Sequence, residues 1–182
     1  MKFRIVRSKR RTISLEVKEE EIIVRAPYEV SVKDIDTFVN SHRKWIENQI
    51  EKLREQRKLA SQAASLSEAD IKELTARAKK VIPERVAYYA PLVGVTYGTV
   101  TIRKQKTRWG SCSAKGNLNF NCLLMLAPPE VIDSVVVHEL CHRKEMNHSK
   151  RFYEEVHRVL PGYKKWDRWL KENGQLILMR VK

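Results

Sequence analysis

Three features predict an α+β protein. Short Ile- and Val-rich runs open the chain, two strand-like segments around a glycine-containing loop come later, and apolar stripes with helical spacing lie between and after them. Residues 3–6 (FRIV), 12–17 (TISLEV) and 21–26 (EIIVRA) are separated by charged or turn-forming stretches, which predicts antiparallel strands ended by Pro27. From Ser31 onward Ile35, Phe38, Val39, Trp45, Ile46, Ile50 and Leu53 form one stripe of an amphipathic helix. His42 shares that stripe and reads as a core or boundary residue. Residues 56–66 (QRKLASQAASL) lose the apolar period, so they are the expected boundary between an N-terminal region, residues 1–66, and a second domain, residues 67–182. The N-terminal strands and helix are either a domain of their own or part of the second one.

Ser67 with Asp70 three positions on has the pattern of an N-cap, opening a helix through Ile71, Leu74, Ala78 and Val81 that Pro83 is expected to kink or divide. VTYGTVTIRKQ and NLNFNCLLML, within residues 95–126, return to strand character around the expected loop TRWGSCSAKGN. Pro128 and Pro129 stop the second strand and start a helix carrying VIDSVVVHELCHRKE, because proline in the first turn has no hydrogen bond to lose. Ser149 caps a further helix that runs to the Pro161-Gly162 break. GYKKWDRWLKEN forms the next helix, anchored by Trp166 and Trp169, and QLILMRV reads as a last short strand.

Bulk properties narrow the function classes. A chain of 182 residues can bury a core without crosslinks, and three cysteines, with no CxxC pair, do not build a disulfide framework. No signal-peptide pattern and no membrane-length apolar run is present, so a cytoplasmic protein is expected. The net charge of +14 sets a field attractive to anionic partners such as nucleic acid, acidic protein segments or nucleotides.

The chemistry concentrates at residues 138–148, HELCHRKEMNH. His138 and His142, four apart on a helix, leave the same face one turn from each other, and Glu139 beside them is placed to take a proton from a metal-activated water. At this composition HExxH alone arises by accident in roughly one chain in a hundred. His148 adds a third imidazole just where the chain must turn after the helix. Zinc takes three protein ligands in a catalytic site and keeps one position for water, so one Zn2+ per chain on His138, His142 and His148 is the expected arrangement. His157, Glu154 and Glu155 are the alternative third ligands, on a helix whose apolar face is set by Phe152, Val156 and Val159.

HELCHRKEMNHSKRF, with RWGSCSAKGNLNFN and LAPPEVIDSVVV ahead of it, resembles the YgjP-like metallopeptidase family, zincins related to the WLM and SprT proteases. The resemblance extends over most of the chain, including the VSVKDIDTFVNSHRKWI helix. It implies a zincin-like core, an active-site helix packed beside a small antiparallel or mixed sheet, with His138, His142 and His148 as zinc ligands and Glu139 as catalytic base. SprT proteases place the third histidine at about the spacing of His157, yet their phenylalanine four positions beyond it corresponds to Phe152 after His148. Metzincins have a glycine where this chain has Glu145.

Arg108, Trp109 and Ser111 are the candidates for substrate or oxyanion contacts, with a structural corner, Gly110 supplying an unusual backbone conformation, as the competing reading. The strands within 99–105 or 117–122 are expected to offer an edge to an extended peptide. Cys141, between the ligands, reads as a buried small hydrophobe. The leading expectation is a zinc-dependent hydrolase of the metallopeptidase type acting on a peptide or protein. The alternative is metal-dependent nucleoside triphosphate hydrolysis at the same site, with Arg103, Lys104, Lys106 and Arg108, or Arg7, Lys9, Arg10 and Arg11, holding the polyphosphate. A DNA-associated protease comes third, since no nucleic-acid reading module is recognisable.

Overall fold

The structure is a computed structural model that describes residues 2–18, 21–62 and 64–181. Its contacts divide the chain into two compact units, Met1–Gln62 and Ala63–Lys182.

In the first unit, strands β1 (Arg4–Arg7), β2 (Ser14–Lys18) and β3 (Glu21–Ala26) form one sheet in the order β1-β3-β2. Antiparallel pairing throughout was the expectation, and the structure corrects it: β2 is antiparallel to β3, but β1 runs parallel to it. The reason is topological. The chain after β1 crosses to the far side of β3 instead of folding back beside β1, a choice that the alternation of side chains does not encode. The stripe after Ser31 also divides, into helices α1 (Val32–Ser41) and α2 (Arg43–Gln62), because His42 leaves helical geometry and its Nδ1 lies 2.8 Å from the Phe38 carbonyl. The break rotates the face: Ile35, Val39 and Ile46 are buried with Ile22, Val24 and Ala26, whereas Trp45 is exposed.

In the second unit, helix α3 (Glu68–Val93) starts with a complete capping box between Ser67 and Asp70. Pro83 neither ends nor divides it. Leu74, Ala78, Ile82, Val86, Tyr89, Ala90 and Val93 keep one buried face across the proline, and that packing outweighs the hydrogen bond it removes. Strands β4 (Val100–Arg103), β5 (Gly110–Cys112) and β6 (Leu118–Asn121) form a mixed sheet in the order β4-β6-β5, with β4 parallel and β5 antiparallel to β6. The expected loop around RWGSC therefore contains a strand. CLLML, expected to extend the second strand, is a 3-10 helix (Cys122–Leu126) opened by the Asn121 side chain, which accepts from the Leu123 N–H. Its first four residues are all buried, and an apolar run buried on every side has no period to separate strand from helix.

Helix α4 (Pro129–Cys141) is the centre of this unit. It packs against α3, β5, the 3-10 helix, α5 (Lys150–Val159) and α6 (Tyr163–Met179). Asp133 clamps it to α3: Arg85 donates to both carboxylate oxygens at 2.6 and 2.7 Å, and the Tyr89 hydroxyl donates at 3.0 Å. Most of QLILMRV is the end of α6 and not a strand, because Leu170, Gly174 and Leu178 continue the four-residue spacing of the helix before it. The result is an α+β fold with the HELCH helix packed beside a small mixed sheet.

Candidate active site

The last turn of α4 carries His138 and Glu139, and His142 is its C-terminal cap. The chain then turns through residues 143–148 and enters α5 at Ser149, whose side chain accepts from the Phe152 N–H at 3.3 Å. That turn brings His148 back over the helix end. The Nε2 of His138 lies 3.2 Å from that of His142 and 3.0 Å from that of His148, and the ligand atoms of all three lie within 4.8 Å of one another. Two nitrogens held at zinc-ligand distance in tetrahedral geometry are about 3.3 Å apart, so the donor set fits a transition-metal ion of that size. His157 is not in the group.

The rings are held from behind. Phe152, fully buried, has its ring centroid 4.9, 4.6 and 4.9 Å from those of His138, His142 and His148. The Nδ1 of His142 lies 3.0 Å from the Glu145 carbonyl, which can only accept, so the proton is on Nδ1 and the Nε2 lone pair is free. Glu145, the position at which this chain departs from the metzincin pattern, thus contributes its backbone. His138 Nδ1 lies 2.9 Å from the Tyr163 hydroxyl. Burial, followed by the neighbouring His142, His148 and Lys171, lowers the His138 pKa to about 3, and burial lowers that of His142. Burial thus favours the neutral form of both imidazoles, the form that can ligate a metal.

Glu139 is 6% exposed, and burial pushes its carboxyl up to about 8, against the opposing pull of Arg108. It packs on β5. A Cβ built on Gly110 would stand 2.6 Å from Glu139 Oε1 and 2.7 Å from its Cγ, so glycine is required there to make room for the carboxylate. This corrects the backbone reading of Gly110, which is not among the glycines with positive φ.

Arg108 and Ser111 line one cleft with Glu139 and the three histidines, together with Cys112 and Met146. Ser111 Oγ accepts from Asn119, which in turn accepts from Arg103, so one of the basic groups considered for a polyphosphate is held in the sheet. Arg7 likewise donates to the carbonyls of Pro27 and Val30. Trp109 is partly buried, with its indole against Gly174 of α6, and lines a second cleft of about 200 Å3 with Glu139, His138 and Tyr163. Burial pushes the Cys141 thiol up to about 12, in keeping with a packing residue. Of the three strands around the site, β6 is paired on both sides, and the edge that borders the histidines is β5.

Sequence reasoning missed Tyr163 and Asn121. Asn121 is completely buried, and its Nδ2 donates to the carbonyls of Gln105 at 2.8 Å and Arg108 at 3.0 Å, fixing the turn that presents Arg108. The alternation Leu118-Phe120-Cys122 assigns Asn121 to the outer face and hides this role.

The sequence model of the YgjP-like metallopeptidase domain matches residues 11–73 and 61–173. The chain belongs to the YgjP-like metallopeptidase family. Among solved structures it is similar to the metallopeptidase zymogen of Pyrococcus abyssi abylysin, with 24% identity and a TM-score of 0.47, over 52% of this chain and 97% of that one. The metallopeptidase zymogen of Methanocaldococcus jannaschii jannalysin is similar at 19% identity and a TM-score of 0.46, over 52% and 97% of the two chains. No curated protein matches. As a YgjP-like metallopeptidase the chain is a hydrolase, a metal-dependent peptidase whose substrates are peptides or proteins. No helix among the described residues is long and apolar enough to cross a membrane.

Proposed function

We propose that the chain is a zinc-dependent peptidase in which His138, His142 and His148 hold one zinc ion and Glu139 is the general base. The observation that carries this reading is the convergence of three imidazole Nε2 atoms beside a buried carboxylate. Zinc bound there supplies a Lewis acid for the scissile carbonyl and lowers the pKa of the attacking water. Glu139 takes the proton from that water on a carboxylate oxygen, holds it in a site shielded from bulk solvent, and delivers it to the leaving amine. In the metal-free protein burial raises its pKa to about 8, so the carboxylate sits where its affinity for a proton is high.

The substrate backbone lies along β5, adding a strand to the free edge of the sheet next to Glu139. Arg108 and Ser111 contact it there, Arg108 through a carbonyl or carboxylate oxygen, while Trp109 shapes the wall. The three free cysteines fit a reducing, cytoplasmic setting.

The test is elemental analysis combined with a casein assay. Wild type is expected to carry one zinc per chain, His148→Ala to lose it, and Glu139→Gln to keep it while activity falls roughly 100- to 10,000-fold. Wild type that binds no zinc overturns the reading, and full metal retention by His148→Ala removes His148 from the ligand set.

A further inference from the structure

We infer that Tyr163 is a positioning residue of the metal centre, accepting the Nδ1–H of His138 and thereby holding that ring in the tautomer and orientation that present Nε2 to the ion. The inference rests on the ligand set proposed above. A phenol can donate or accept, and the geometry around His138 decides which. Its Nε2 faces the Nε2 atoms of both His142 and His148, at 3.2 and 3.0 Å. Metal coordination requires that Nε2 carry a lone pair, so the ring proton is on Nδ1, whose partner among the described residues is the Tyr163 hydroxyl oxygen at 2.9 Å.

Tyr163 is well placed to hold this position. It is 5% exposed, it opens α6 directly after the Pro161-Gly162 break, and its backbone N–H donates to the Leu160 carbonyl. The ring stacks at 21° to His138 with centroids 6.2 Å apart, and His157 meets it edge-on at 5.9 Å. His157, considered from its spacing as a ligand, thus packs against the residue that orients one. The two helical histidines are secured by different means: His142 by a carbonyl three residues along, His138 by a side chain from another helix. The orientation of His138 consequently depends on the docking of α6.

Tyr163→Phe removes one oxygen and preserves the ring. Zinc affinity of the full-length protein, measured by chelator competition, is expected to fall 10- to 100-fold, the usual effect of losing such a partner. In NMR spectra of the zinc-loaded protein, the His138 Nδ1–H is expected to exchange rapidly in Tyr163→Phe. The His142 Nδ1–H, bound to a backbone carbonyl, remains protected and serves as the internal control for a folded site. Zinc affinity within twofold of wild type, or an unchanged His138 Nδ1–H, overturns the inference and leaves the ligand set standing. Wild type without zinc overturns both.

Discussion

At the scale of single residues, the close approach of Glu139 to Gly110 makes the smallest possible substitution informative. Gly110→Ala places a methyl group 2.6 Å from the carboxylate oxygen, so the carboxylate or the strand must shift. The ligands are untouched. Zinc content is expected to stay at the wild-type level while casein cleavage falls at least tenfold, since misplacement by about 1 Å costs of the order of 100-fold. Titration offers a second check. In the metal-free protein His138 has a folded pKa near 3 against 6.5, so the unfolded chain binds the extra proton and stability falls as pH drops from 6.5 toward 3. Glu139, at about 8 against 4.5, holds its proton longer in the folded state and contributes stability that is lost as pH rises from 4.5 through 8. The slopes oppose each other between 4.5 and 6.5, so urea midpoints of metal-free protein are expected to plateau there and decline on both sides. Glu139→Gln should flatten the alkaline limb.

At the scale of elements, α4 is held to α3 by Asp133, and α4 carries His138 and Glu139 in its last turn and His142 at its cap. Asp133→Ala leaves Arg85 and the Tyr89 hydroxyl without their shared acceptor, and a loss of about 1–3 kcal/mol is expected by urea denaturation. Elements also show what was readable in advance. HELCHRKEMNH was legible because i,i+4 spacing on a helix is local geometry, and the Ser67 and Ser149 caps because capping involves residues three apart. Tyr163 was not, since its bond to His138 joins α6 to α4 across 25 positions and no local period records it. Asn121 looked like the polar face of a strand because its partners are carbonyls of a folded turn. CLLML failed because a short apolar run buried on all sides has no periodicity to read, and QLILMRV because its helical period, Leu170-Gly174-Leu178, shows only when the run is joined to the helix before it.

At the scale of the molecule, the two units have separate hydrophobic clusters that share no residue, and all three histidines, Glu139, Tyr163 and the β4-β6-β5 sheet belong to the second. Zinc is therefore expected to raise the unfolding temperature of the Ala63–Lys182 unit selectively. Free zinc at 100 times its Kd adds about 2.7 kcal/mol to the unit that binds it and none to the other. Calorimetry with and without chelator checks this: a single transition that moves as a whole means the units unfold together. The charge of +14 is a property of the whole chain, and the residues of the histidine cleft do not share it evenly, since Arg108 is the one Lys or Arg among those lining it.

The contact between Glu139 and the bare backbone of Gly110 also bears on how a scissile bond is chosen. If a substrate extends the sheet along β5, main-chain register alone sets which carbonyl arrives at the carboxylate, and the site works as a ruler more than as a lock. Side-chain preference then matters less than whether a polypeptide can surrender several consecutive peptide groups. Loosened chains meet that demand, and intact helices do not.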